Sequence, residues 1–94
     1  MITKENIQAD LDKIFNHIVE CGMLGNYRKY IETNRFDGDR YSNLRVGQRF
    51  IYNIFRFLED HNCDYKFPTS NLFYCDDKDL VNELLENFYL KVYE

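Results

Sequence analysis

The stretch from Ser42 to Asn62, SNLRVGQRFIYNIFRFLEDHN, decides the fold, because its side chains separate into two faces at the helical period of about 3.6 residues. The apolar face spans about 140° and contains Leu44, Gly47, Phe50, Ile51, Ile54, Phe55 and Leu58. The opposite face spans about 60° and contains Arg45, Arg49, Tyr52 and Arg56. This pattern predicts an amphipathic helix that buries one face and presents its guanidinium groups to solvent.

Two residues of this stretch predict its local geometry. Ser42 is placed to cap the helix, since its hydroxyl can accept a hydrogen bond from a free amide of the first turn. Gly47 lies in the apolar face, where glycine costs a helix about 1 kcal/mol relative to alanine. We therefore expect another helix to approach the backbone closely at Gly47.

A first helix is predicted from Thr3, as its cap, to about Glu20, with Gly22 as the left-handed residue that ends it. Its apolar stripe consists of Ile7, Leu11, Ile14, Phe15, Ile18 and Val19. His17 falls outside that stripe, and we expect it to be solvated.

A last helix is predicted from a cap at Asp76 or Asp77 to about Val92. Its apolar face consists of Leu80, Val81, Leu84, Leu85 and Phe88, and its outward face of Asp79, Glu83 and Glu86. Before it, Pro68 and the run Thr69-Ser70-Asn71 predict a turn. We expect the apolar residues 72–74 to fold this connection back onto the core.

Residues 23–41 allow two interpretations. Asn26 could cap a short helix that contains Tyr27, Tyr30 and Ile31. Alternatively, the Asp37-Gly38 dipeptide could turn a β-hairpin, although the flanking residues alternate poorly. We favour the short helix, followed by a polar loop through Asp37-Gly38-Asp39.

Together these patterns predict an all-α fold, a compact bundle of three main amphipathic helices plus a short helix or loop element. The 94 residues are expected to form a single domain, 1–94. No apolar run approaches the length needed to span a membrane, and the N-terminus has no secretory h-region. Three cysteines without a C-x-x-C motif favour a reducing, cytoplasmic location.

The central segment carries a short motif. An R-x-G-Q helix, then Phe-Tyr, then acidic residues that open a final helix resembles a pattern in small uncharacterised bacterial and phage proteins. The residues that carry it are Arg45-Val46-Gly47-Gln48-Arg49-Phe50, Asn53, Leu72-Phe73-Tyr74 and Asp76-Asp77. The resemblance implies a small helical domain from a prophage or mobile-element context, and it implies no activity.

The sequence offers little for catalysis. His61, with Cys63 two residues on, is the one candidate for a catalytic or metal-binding group, but a zinc site needs four converging ligands. We expect His61 to be half-buried and hydrogen-bonded near Phe50 and Phe57. Residues 76, 77 and 79 are aspartates that could bind magnesium, but their place at a helix start explains them more simply. The expectation is a protein that is not an enzyme and binds neither a metal nor a cofactor.

Charge is distributed unevenly around a formal net charge of −4. Residues 26–56 carry seven basic and three acidic side chains, whereas residues 57–94 carry three basic and nine acidic ones. Arg45, Arg49, Tyr52 and Arg56, here called the arginine stripe, are therefore the predicted partner-binding residues. Asp79, Glu83 and Glu86 form a candidate acidic partner surface. The plainer interpretation is that the stripe is a solvated helix face.

Three functions remain open on this basis. The first is a non-enzymatic protein–protein interaction module, such as a phage-encoded or mobile-element-encoded acidic inhibitor of a host defence or nucleic-acid-handling protein. The second is a nucleic-acid or nucleotide-binding protein that uses the arginine stripe, although overall acidity opposes binding of a polyanion. The third is a homodimer or larger homo-oligomer in which the stripe and the acidic surface satisfy each other.

Overall fold

Five helices make up most of the residues that the computed structural model describes, which are 1–34, 44–63 and 69–94. They are α1 (Lys4–Glu20), α2 (Leu24–Asn34), α3 (Val46–Asp60), α4 (Ser70–Tyr74) and α5 (Lys78–Val92). These ranges contain no strand, so the all-α class is confirmed. The prediction of three main helices is not confirmed, because α2 has 11 residues and joins the three longer helices as a fourth.

The first helix begins and ends as predicted. The Thr3 hydroxyl accepts a hydrogen bond from the Asn6 amide at 3.2 Å, and the Asn6 side chain accepts one from the Thr3 amide at 3.1 Å. This reciprocal capping box satisfies two amides that the first turn cannot pair. Gly22 follows the helix with φ +69°, the left-handed conformation that glycine adopts without strain. Val19 is exposed rather than part of the buried stripe.

The prediction of a short helix after α1 is confirmed, and a hairpin strand is excluded over residues 24–34. The helix starts two residues before Asn26, so Asn26 lies in its first turn and does not cap it. Tyr27 and Ile31 are buried, which explains why this segment belongs to the core. The predicted loop through Asp37-Gly38-Asp39 lies outside the described residues.

The central helix is shorter than predicted, and its buried face is rotated about the helix axis relative to the predicted face. It begins at Val46, with Arg45 as the capping residue, and the proposed cap Ser42 lies outside the described residues. The buried residues are Val46, Gly47, Arg49, Phe50, Ile51, Ile54, Phe57 and Leu58. Relative to the predicted face, the buried arc is rotated by roughly 60–70° toward Arg49 and Phe57. The reason is that α3 packs against both α4 and α5, which cover a wider arc than a single neighbour would.

The expected close approach at Gly47 is confirmed, and the approaching helix is α4. A Cβ atom at Gly47 would overlap the carbonyl oxygen of Leu72 and lie 2.9 Å from its carbonyl carbon. Leu72 itself is fully buried and Phe73 is half-buried, so the connection before α5 folds back onto the core at these two residues as predicted, whereas Tyr74 is 58% exposed. Only glycine lets the two backbones meet at this distance.

The last helix also follows the prediction. The Asp77 carboxylate caps it by accepting a hydrogen bond from the Leu80 amide at 3.1 Å. Its buried side chains are Val81, Leu84, Leu85, Phe88, Tyr89 and Val92. At the other end, the Arg28 Nε of α2 donates to the Val92 carbonyl at 2.6 Å, where a cation suits the negative end of the helix dipole.

Aromatic side chains from three helices, α2, α3 and α5, fill the centre of the bundle. The rings of Phe50 and Phe88 meet edge to face at 5.3 Å, and those of Tyr27 and Phe57 at 5.1 Å. The Cα radius of gyration is 12.4 Å, close to the value of about 12 Å expected for a compact chain of this length. None of the helices in the described ranges is both long and apolar enough to cross a bilayer.

Candidate functional site

The arginine stripe is not a continuous surface, because Arg49 is buried. Only 9% of Arg49 is accessible to solvent, since it lies on the part of α3 that the rotation brings toward the neighbouring helices. The prediction that all three guanidinium groups face outward was therefore wrong for Arg49. Arg45, Tyr52 and Arg56 remain on the accessible side of α3.

Arg45 is held in place by three contacts with the segment between α3 and α5. Its Nε donates a hydrogen bond to the Phe73 carbonyl at 3.2 Å. Its guanidinium carbon lies 5.3 Å from the centre of the Tyr74 ring, within the range of a cation–π contact. One guanidinium nitrogen lies 4.0 Å from a carboxylate oxygen of Asp76, whose side chain is 89% exposed. The Arg45 guanidinium is thus a fixed part of the surface.

Three aromatic rings lie beside Arg45 in a row, here called the ring ladder: Tyr52, Phe73 and Tyr74. The Tyr52 and Phe73 rings are 5.9 Å apart at 90°, and the Phe73 and Tyr74 rings are 4.9 Å apart at 71°. Both distances and angles are those of favourable edge-to-face pairs. Tyr52 is 49% exposed and Tyr74 is 58% exposed, while Phe73 between them is half-buried. The ladder is therefore rigid at its centre and open at both ends.

Arg56 lies one helical turn beyond Tyr52 and is exposed. Its positive charge acts on the pKa of Tyr30 on α2. Burial raises the pKa of the Tyr30 hydroxyl; the Arg56 charge opposes that increase, and the Asp60 charge adds to it. Arg56 thus stands close to a carboxylate, and the end of the surface that it occupies is not strongly basic.

The acidic residues of α5 are exposed as predicted. Asp79, Glu83 and Glu86 all lie on the accessible side of the helix, and Leu90 and Tyr93 farther along it are exposed as well. Within the described residues, the ion pair that links α3 to the start of α5 is Arg45–Asp76. Arg45 of the stripe therefore pairs with Asp76, which precedes α5 and lies outside the candidate acidic partner surface.

The two histidines are both engaged in hydrogen bonds. The predicted contact of His61 with Phe57 is confirmed. The His61 Nδ1 is 2.9 Å from the Phe57 carbonyl, and the two rings are 4.4 Å apart. The prediction that His17 is solvated was wrong, because its Nε2 donates to the Cys63 carbonyl at 3.0 Å. A carbonyl oxygen can only accept, so each of these nitrogens carries a proton. In the parts of the chain that are described, no three side chains of histidine, cysteine or acidic type meet as a metal site.

Sequence reasoning did not place Phe73 and Tyr74 in the candidate site, although they supply two of its three rings. Their signal was present in the sequence, as two large aromatic residues directly before a group of aspartates. Reading them as part of the site requires knowing that α4 packs on Gly47, which brings residues 73 and 74 beside α3.

No family model, curated protein or solved structure matches this chain. The proposals below therefore depend on the surface itself.

Proposed function

We propose that this chain is a non-enzymatic protein–protein interaction module that binds a partner protein through the ring ladder beside Arg45. The observation that carries the proposal is the exposure of Tyr52 and Tyr74 at the two ends of an ordered row of rings. Tyrosine and arginine dominate the residues that contribute most to protein–protein binding, since each combines a large flat contact area with polar groups.

The order of the surface also supports binding. Phe73 is half-buried and touches both neighbouring rings, and Arg45 is tied to the Phe73 carbonyl. A partner would therefore immobilise few side chains that are free beforehand, which lowers the entropy cost of association. Exposed leucines or lysines would not offer the same advantage.

Nucleic acid is the less favoured ligand of this surface. With Arg49 buried, the stripe offers Arg45 and Arg56, and Arg45 already faces the Asp76 carboxylate. Phosphate recognition normally requires several uncompensated cations, because released counterions supply most of the binding free energy. Exposed rings can stack on bases, so the experiment below includes oligonucleotides as a separate arm.

A more specific form of the proposal is that the partner is a host defence or nucleic-acid-handling protein and that the chain inhibits it. In this form the chain is encoded by a phage or a mobile element. The exposed carboxylates of α5 support it, because they could enter a basic channel that normally holds a polyanion. If so, an excess of oligonucleotide should release the partner from the chain, whereas a partner that stays bound would contradict inhibition by occupation of the channel.

Capture experiments can test the interaction proposal. The immobilised chain would be compared with a Tyr52→Ala, Tyr74→Ala double variant and with Tyr93→Ala, which removes an equally exposed tyrosine at the far end of α5. We expect proteins retained by the native chain and by Tyr93→Ala to be lost from the double variant. Loss from neither variant, or from both equally, would contradict the ring ladder as the binding surface.

The nucleic-acid arm uses labelled single-stranded DNA and RNA over a series of salt concentrations. We expect no binding at low salt. Binding that weakens steeply with salt and is lost in an Arg45→Ala, Arg56→Ala variant would favour the nucleic-acid function instead.

A further inference from the structure

We propose that Tyr74 and Asp76 form a cradle for a guanidinium group, so that the partner docks through an arginine-rich segment. This inference rests on the proposed function and names the chemistry of the partner at the same surface. The geometry that points to it is the position of the chain's own Arg45, which lies over the Tyr74 ring at 5.3 Å and 4.0 Å from the Asp76 carboxylate.

Arg45 shows that the ring and the carboxylate can act together on one cation. A guanidinium is planar and weakly hydrated, so it can lie on a ring face while its edge donates to a carboxylate. Arg45 uses only part of this capacity. Its Nε is turned to the Phe73 carbonyl, its distance to Asp76 is at the outer limit of an ion pair, and Tyr74 remains 58% exposed.

Charge complementarity selects a basic occupant. In the two described segments that carry the ladder, residues 44–63 and 69–79, the exposed or half-exposed charges are three cations and five carboxylates, namely Arg45, Arg56, Lys78, Glu59, Asp60, Asp76, Asp77 and Asp79. A polyanion or a second copy of this chain, whose net charge is −4, would meet like charge there. A segment rich in arginine would meet opposite charge and two open rings.

The probe for this inference is a short synthetic peptide of alternating arginine and glycine, titrated into the native full-length chain by calorimetry. Peptides of equal length in which lysine or glutamate replaces arginine serve as comparisons. We expect the arginine peptide to bind more tightly than the lysine peptide, because lysine has no flat face to lie on a ring, and the glutamate peptide not to bind.

Variants then separate the cradle from the general acidity of the chain. Tyr74→Ala and Asp76→Asn should each weaken the arginine peptide about two- to fivefold, the range of an exposed cation–π contact. Tyr93→Ala at the end of α5 and Glu20→Gln at the end of α1 remove the same kinds of group outside the cradle and should leave the dissociation constant unchanged. Arg45→Ala should preserve or strengthen binding, since it removes the internal competitor and a like charge.

Three results would overturn the cradle: equal weakening by Glu20→Gln and Asp76→Asn, no effect of Tyr74→Ala, or loss of binding in Arg45→Ala. Variants that fail to fold would be recognised by circular dichroism. Asp76→Glu and Tyr74→Phe, which keep the charge and the ring, would then replace them and should bind nearly as the native chain does. If the arginine peptide does not bind while protein capture still depends on Tyr52 and Tyr74, this inference is wrong and the proposed function stands.

Discussion

The carboxylate of Asp10 on α1 accepts a hydrogen bond from the backbone amide of Leu72 in α4 at 3.0 Å. Asp10 is only 2% exposed, and α4 is a helix of five residues whose own capping residue, Thr69, makes no side-chain capping hydrogen bond. An amide in the first turn of α4 is thus satisfied from a different helix. This contact fixes the short helix that carries two rings of the candidate site.

Replacing Asp10 by alanine should destabilise the fold by about 1–3 kcal/mol, because the Leu72 amide would be buried without an acceptor. Urea unfolding would measure the loss. Asp10→Asn keeps an acceptor oxygen and should lose less. The control is Asp12→Ala on the same helix, which breaks a half-exposed contact with Lys91 and should cost about 1 kcal/mol at most. Equal losses for Asp10→Ala and Asp12→Ala would show that the contact with α4 is unimportant.

The close approach of α3 and α4 gives a second prediction. Gly47→Ala should destabilise the protein by about 1–3 kcal/mol, since the new methyl group would meet the Leu72 carbonyl, which is backbone and cannot turn away. Helix propensity alone would predict a gain of about 1 kcal/mol. Gly25→Ala in α2 is the matched control, because a Cβ there meets nothing within 4 Å. Its unfolding free energy should stay the same or rise, and a rise in Gly47→Ala as well would contradict the close packing.

The two accessible ends and the buried middle of the arginine stripe should respond differently to charge reversal. Arg49→Glu should cost about 3 kcal/mol or more, because it places a carboxylate where the structure buries a guanidinium. Arg56→Glu, at an exposed position of the same helix, should change stability by less than about 1 kcal/mol. Chemical denaturation of both variants checks this. Comparable losses would mean that Arg49 is as accessible as Arg56.

Tyr30 should make the fold sensitive to alkaline pH. Its folded-state pKa is raised above the ordinary 10.0, chiefly by burial. Between the unfolded and the folded pKa, unfolding releases the Tyr30 proton, so stability is fully present below pH 10 and falls as pH rises through the folded pKa. The difference between the denaturation midpoints of the native chain and Tyr30→Phe should therefore stay constant below pH 10, and above it the native midpoint should fall relative to that of the variant.

The same tyrosine allows a direct test of the charges around it. The difference between ultraviolet titrations of the native chain and Tyr30→Phe isolates its ionisation. Asp60→Asn should lower the Tyr30 pKa, and Arg56→Ala should raise it. Shifts in the opposite directions would show that neither side chain lies where the structure places it.

Local signals predicted the ends of the first and last helices well. The cap at Thr3, the cap at Asp76 or Asp77, of which Asp77 is the one observed, and the left-handed Gly22 were read from residue types whose side chains or missing Cβ act within one turn. The close approach at Gly47 was also predictable, because glycine in the apolar face of a helix lowers helix stability and a compensating packing contact is expected there. These features depend on the chain near the residue, so one sequence is enough to recognise them.

The candidate site was predicted less well. Tyr52 and Arg45 were identified from helical periodicity, but Arg49 was assigned to the wrong side and the two rings of α4 were missed. Periodicity gives the relative angles of side chains on one helix and not the width of the arc that its neighbours cover. That width is set by α4 and α5 together, and α4 is too short to show a period of its own.

The sequence alone determined that this protein is helical, where its first and last helices begin and end, and that residues 57–94 are acidic, because capping, periodicity and charge act over a few residues. Only the tertiary structure decided that α4 packs on Gly47 and donates a hydrogen bond from Leu72 to the Asp10 carboxylate. It also decided that Arg49 is buried and that Arg45 lies over the Tyr74 ring. Those relationships join residues up to 62 positions apart, and they arise from how the helices share one core rather than from any local preference.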